Sequence, residues 1–146
     1  MKRLLGILLI LFNTTFVYSE QSDFVTWQKR AEQGNADAQF VLGVMYNLGE
    51  GVLQDYKQAV YWWKKSAEQG NALAQHNLGL QYATGQGVTK NNLKAHMWFN
   101  ISAYSGNTRA SEARDEFSKY MTSPQITEAQ RMAKKWVENF KKRKKR

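Results

Sequence analysis

Residues 35–70 of the chain recur at residues 71–106 without a gap, and 15 of the 36 paired positions are identical. Unrelated segments of that length would share about two positions, so the unit is duplicated. The identical positions include Ala38/Ala74, Leu42/Leu78, Gly43/Gly79, Tyr46/Tyr82, Trp62/Trp98 and Ala67/Ala103. A period in this range means helical units stacked side by side.

Within each copy the spacing predicts two helices. Ala38, Leu42 and Tyr46 recur at i, i+4 and i+8, one stripe of a first helix, A. Glycines at 49 and 51, or 85 and 87, break it, and a second helix, B, opens at Asp55 or Asn91, both good N-caps. Helix B carries Ala59, Trp62, Trp63, Ser66 and Ala67 before Gly70 ends it. Gly43 and Gly79 lie inside helix A, where glycine costs about 1 kcal/mol relative to alanine. The expected compensation is room for a ring such as Trp62 or Trp63. Residues 20–34 align with helix B alone, so the array starts on half a unit.

Residues 107–121 stand where a third helix A belongs, but Arg114, Asp115 and Ser118 replace its Leu, Gly and Tyr, which makes it degenerate. Ser123 and Pro124 open a last helix over 122–140, with Ala129, Met132, Ala133, Trp136, Val137 and Phe140 on one face to cap the stack. The predicted fold is all-α: a short α-solenoid of antiparallel helix hairpins with a C-terminal capping helix. At 146 residues with 42% apolar content it amounts to one domain.

Residues 1–19 read separately, as a cleaved secretory signal. Lys2 and Arg3 precede an apolar run from Leu4 to Phe12, and Val17, Tyr18 and Ser19 lead to a cleavage point before Glu20. The apolar stretch is shorter than the roughly 20 residues of a membrane span. Periplasm or secretion is the expected location. The chain has no cysteine, which removes disulfides, thiolate nucleophiles and thiolate metal sites together.

The net charge of +9 suggests nucleic acid until it is apportioned. Lys2 and Arg3 supply two charges and residues 141–146 supply six, leaving 13 basic against 12 acidic residues over 20–140. No broad basic face for a phosphate backbone is expected, and no nucleic-acid partner. The tail from Lys141 to Arg146 has two open readings: weak attraction to an anionic surface, or a loose, soluble end.

The string Ala-x-Ala-Gln-x-x-Leu-Gly-x-x-Tyr-x-x-Gly-x-Gly-Val, followed by Ala, Trp and then Ala-Glu-Gln-Gly at residues 67–70, resembles the Sel-one-like repeat family, a branch of the tetratricopeptide-type α-solenoids. The resemblance covers residues 24–106. It implies an adaptor or scaffold that binds a protein or peptide on a curved surface, with no catalytic residues and no cofactor to carry over. Cysteine-rich relatives linked to β-lactam chemistry have a cysteine pair in each repeat, which this chain lacks.

Positions that differ between copies on the face opposite the repeated stripe are where a solenoid can specialise. In related arrays that stripe lines the concave groove. In the first helix A these are Asp37, Phe40, Val44, Asn47 and Leu48; in the second Leu73, His76, Leu80, Ala83 and Thr84; in the third Arg109, Glu112, Glu116, Lys119 and Tyr120. Phe40, Val44, Leu73 and Leu80 would form an apolar floor and the third set a charged end. The same apolar residues would serve equally well as packing against neighbouring helices.

Catalytic and metal signals are weak. His76 and His96 stand 20 apart with no HExxH spacing, so no zinc site is expected. The Gly-x-Gly pairs lack the further Gly and Lys of a phosphate loop. Glu112, Asp115 and Glu116 have Arg109 and Arg114 within a turn, which reads as a solvated, salt-bridged face. No serine has a histidine and carboxylate at a recognisable spacing, although folding could still assemble a triad. The leading expectation is an exported protein-binding module. The alternatives are a cell-envelope hydrolase of peptidoglycan or β-lactam type and an electrostatic tether through the basic tail.

Overall fold

The computed structural model describes residues 23–146, so the expected leader over 1–19 lies outside the described residues. The described chain has seven helices and no strand. The described part of α1 covers residues 23–32. It is followed by α2 (Ala36–Leu48), α3 (Tyr56–Glu68), α4 (Ala72–Thr84), α5 (Asn92–Tyr104), α6 (Thr108–Ser118) and α7 (Ser123–Lys144). Helices α2, α4 and α6 occupy A positions, and α1, α3 and α5 occupy B positions. Each packs on its sequence neighbours: α2 on α3, α3 on α4, α4 on α5 and α5 on α6.

The repeated residues set the helix ends. Asn35, Asn71 and Asn107 each accept, through Oδ1, the amide of the residue three positions on, capping α2, α4 and α6. Asp55 and Asn91 cap α3 and α5 in the same way. At the opposite ends of α2 and α4, Gly49 (φ 75°) and Gly85 (φ 80°) take the left-handed conformation that side chains resist. The chain then folds back, so that the Asp55 amide donates to the Tyr46 carbonyl at 2.9 Å and the Asn91 amide to Tyr82 at 2.8 Å.

Between helices, each repeat closes on small residues and polar stitches. Ala38, Leu42, Ala59, Ala74, Leu78 and Ala95 are all 0% exposed, and the alanines allow close approach. The Ser66 hydroxyl donates to the Ala36 carbonyl at 2.7 Å, and Ser102 to Ala72 at 2.6 Å. The Gln39 amide donates to the Ala31 carbonyl at 3.1 Å, and Gln75 to Ala67 at 3.2 Å. These bonds use spare acceptor capacity on carbonyls in the last turn of helix B and the first turn of helix A, and so tie neighbouring helices together. The ring pressed on Gly43 is Trp63, not Trp62, and its indole N–H donates to the Phe40 carbonyl at 3.2 Å. In the second copy Phe99 presses on Gly79.

In α6 only Ala110 is fully buried, at the place of Ala38 and Ala74. Phe117 restores part of the lost packing by meeting Phe99 edge-on, with centroids 5.9 Å apart. Helix α7 packs on α5 through Ala129, Ala133, Trp136 and Val137. Two expectations need correction. The cap of α7 is Thr122 rather than Ser123, because Thr122 and Gln125 form a reciprocal capping box with Pro124 in the first turn. The C-terminal tail is not loose after residue 140: the helix continues through Lys144, since its straight-chain lysines are good helix formers and cations suit a helix C-terminus.

Candidate functional site

Helix α4 carries an exposed apolar ridge in the expected groove. Leu73 and Leu80, two turns apart, are 51% and 41% exposed. Their counterparts in α2 are Asp37 and Val44, so the repeat fold accepts a charge at the first of these places. Phe40 and Val44 are half-buried and pack against the main core. The apolar floor expected from sequence is therefore split: Phe40 and Val44 of α2 contribute packing and Leu73 and Leu80 of α4 contribute exposed surface, while Leu48 at the end of α2 is exposed at 56%.

His76 lies between the two leucines on α4. Its ring is half-buried 5.7 Å from that of Phe99, and its buried Nδ1 has no hydrogen-bond partner among the described residues. Burial holds its pKa below the ordinary 6.5, and the nearby Arg109 guanidinium lowers it further. Arg109 is exposed and makes no ion pair among the described residues. With Leu73 it lines a shallow depression of about 330 Å³ at the turn from α5 to α6.

The other expected residues take different places. The Asp37 carboxylate accepts from the Asn71 side-chain amide at 3.0 Å and ties α2 to the cap of α4. Asn47 is half-buried; its backbone carbonyl accepts from Gln54 at 2.7 Å, and its Oδ1 is buried without a partner. Glu112 is exposed, and Glu116 pairs with Lys119 at 2.6 Å one turn on. The structure therefore gathers Leu73, His76, Leu80 and Arg109 into one surface, and employs Asp37, Phe40 and Val44 in holding the stack.

Folding does bring one serine to one histidine. His96, 1% exposed, has Nε2 2.9 Å from the Ser118 hydroxyl and Nδ1 2.8 Å from the Asn100 amide nitrogen. The same Asn100 nitrogen donates to the His96 backbone carbonyl at 3.1 Å, which only accepts, so the amide orientation is fixed. Nδ1 is consequently an acceptor and Nε2 carries the hydrogen. Ser118 gives its own hydrogen to the Arg114 carbonyl at 2.8 Å. The histidine thus donates to the serine, the reverse of nucleophile activation. No spacing rule could find this pair, because α6 is brought to α5 only by packing. Among the described residues no three His, Asp or Glu side chains gather as metal ligands.

Both histidines make stability depend on pH. Burial lowers the pKa of His96 from 6.5, the Arg114 charge adds to the effect and Asp115 opposes it. Below pH 6.5 the unfolded chain takes up protons that folded His96 and His76 refuse, so stability is lost as pH falls from 6.5 toward the lower folded values. Above 6.5 neither histidine contributes. Thermal melts should show a midpoint that is level above pH 6.5 and declines below it, with a shallower decline in His96→Gln. A midpoint unchanged down to pH 5 would contradict the buried neutral imidazole.

The family model described as Sel1 repeat matches residues 36–71 and 72–107. Among solved structures, c5321, a protective antigen present in uropathogenic Escherichia coli strains and displaying an SLR fold, superposes with a TM-score of 0.79 at 33% identity. That match covers 82% of this chain and 26% of the other. A Sel1 repeat protein from Oxalobacter formigenes superposes with a TM-score of 0.64 at 36% identity, covering 66% and 28% respectively. The chain thus spans about a quarter of the length of these relatives. No curated protein matches it in sequence.

Proposed function

Since the chain belongs to the Sel1-repeat family of α-solenoids, we propose that it is a protein-interaction module whose partner docks along α4, the central helix A. Export by the N-terminal leader belongs to the same proposal, as does use of the concave side of the array. One observation carries the reading. Leu73 and Leu80 are both exposed, and at the place of Leu73 the other copy of the repeat carries the charged Asp37.

The chemistry of the ridge suits an amphipathic peptide helix. Seven residues of α-helix span about 10.5 Å, so Leu73 and Leu80 can meet two apolar anchors two turns apart on a partner. Arg109, without an ion-pair partner among the described residues, favours an acidic residue beside the first anchor. No residue is given a catalytic role.

Leu73→Asp combined with Leu80→Asp tests this directly. Both side chains are exposed, so the helical spectrum should persist and stability should change by no more than about 1 kcal/mol. Crosslinking capture from the native cell, with the adducts mapped by mass spectrometry, should give adducts on α4 from the parent chain. If the pair acts as a hot spot of about 2 kcal/mol, the yield in the double variant falls roughly thirtyfold. Equal yields, or adducts confined to other helices, would refute docking on α4.

A further inference from the structure

The positive charge of this chain is concentrated at one end of α7. Residues 23–140 carry 13 basic and 11 acidic side chains, whereas residues 141–146 are all basic. Because α7 runs through Lys144, four of those six cations are fixed on a helix rather than carried on a loose end. They also lie over aromatic rings. The Lys141 ammonium is 5.1 Å from the Tyr104 ring and that of Lys144 is 5.0 Å from Phe140. The Arg143 guanidinium is 5.8 Å from the Phe140 ring, and Phe140 itself stacks on Trp136.

Helix α3 adds to the cluster. Lys65 and Arg143 flank a depression of about 550 Å³ between α3 and α7, and the Lys65 ammonium lies 4.9 Å from the Tyr61 ring. Tyr61 and Tyr104 are 47% and 63% exposed. Among the described residues, Glu68 and Glu138 are the only acids lining the depressions on the two sides of this helix end. Exposed tyrosines with lysine stems laid over them combine an apolar body with a charged tip, which suits the boundary between lipid headgroups and acyl chains.

From this arrangement we infer that the C-terminal end of α7, with Lys65, Tyr61 and Tyr104 beside it, is a docking surface for an anionic lipid bilayer. Four residues of helix cover only about 6 Å along the axis. A nucleic acid, with its charges strung along one line, would place few phosphates on so compact a patch, and the near-neutral body offers no track for the rest. A bilayer presents its charged headgroups as a sheet, so every cation of the patch is served at once. The surface lies on the α3–α5 side, away from the α4 ridge.

The test is co-sedimentation of the full chain with vesicles of phosphatidylcholine alone or with phosphatidylglycerol mixed in. A single-stranded oligonucleotide serves as the competing ligand. Binding should require phosphatidylglycerol and should collapse when salt rises from about 0.1 M to about 1 M, where screening shortens the reach of charge to about 3 Å. K141Q/R143Q/K144Q should bind about a hundredfold more weakly, at roughly fivefold per charge. Tyr61→Ser with Tyr104→Ser keeps every charge and should bind about tenfold more weakly. Circular dichroism of each variant reports folding. Absence of binding to anionic vesicles, equal binding by the folded charge variant, or tighter binding to the oligonucleotide would overturn the inference. Binding unaffected by loss of the two rings would overturn it as well, because a flexible cationic tail would then suffice.

Discussion

Replacing Gly79 by alanine is expected to lower the thermal midpoint by roughly 8 °C, although helix propensity alone argues for a gain of about 1 kcal/mol. A Cβ at Gly79 would stand 2.5 Å from Cδ1 of Phe99, and one at Gly43 would stand 2.5 Å from Nε1 of Trp63. Both rings are 2% exposed and enclosed by the core, so they have nowhere to retreat. Overpacking of this kind costs about 3 kcal/mol, which leaves a net loss of about 2 kcal/mol after the propensity gain. Scanning calorimetry decides the sign: a raised midpoint in Gly79→Ala would show that the ring contact does not hold the helices together. A second substitution, Phe99→Leu, should recover part of the loss by vacating the space, an interaction readable as a double-mutant cycle.

Trp136→Ala should cost about 3 kcal/mol, although most of α7 is exposed. The Trp136 ring stacks on Phe140 with centroids 5.1 Å apart and meets Trp98 edge-on at 5.6 Å, so one truncation removes two aromatic pairs together with the burial. The Trp98 contact binds α7 to α5, and the stack on Phe140 holds the Trp136 ring in place. The variant should unfold at clearly lower urea, and limited proteolysis should cut within α7 before the repeats. Lys135→Ala, one residue away and exposed, should stay within about 0.5 kcal/mol of the parent. Equal urea midpoints for the parent chain and Trp136→Ala would mean that α7 adds nothing to the stability of the stack.

The helix pattern and its duplication were legible in the sequence because both are local. Asn71 caps α4 and Gly85 ends it through bonds that reach no further than five residues, so identity at those positions carries the structure with it. Leu42, Leu78 and the alanines of the repeat also announced themselves, since a stripe at helical spacing needs burial wherever it occurs. The polar identities were harder to interpret. Gln39 and Gln75, polar by type, are 4% and 0% exposed and bond to carbonyls eight residues back. Their role depends on where the preceding helix B ends in space.

The candidate site was legible only in outline. The list of variable positions contained Leu73, His76, Leu80 and Arg109, but nothing in the spacing separated them from Phe40 and Val44, which pack on the core. Period and hydropathy report which face of a helix a residue occupies; they do not report which faces a neighbouring helix covers. The same limit applies to the C-terminus, where six consecutive cations left two readings open and the first four in fact continue a helix, with aromatic rings beneath Lys141 and Lys144.

Repeat length, helix boundaries, caps and the apolar stripe follow from the order of residues, because each rests on contacts within a turn or two of the chain. The pairing of Trp63 with Gly43, the reversed Ser118–His96 bond, the exposure of α4 and the rigid basic end of α7 follow from packing. They join residues far apart in the chain, as Lys141 over Tyr104 and Trp136 on Trp98 also illustrate. Such contacts exist only once the helices have docked, and their geometry is set by the shape of every ring and small residue between them.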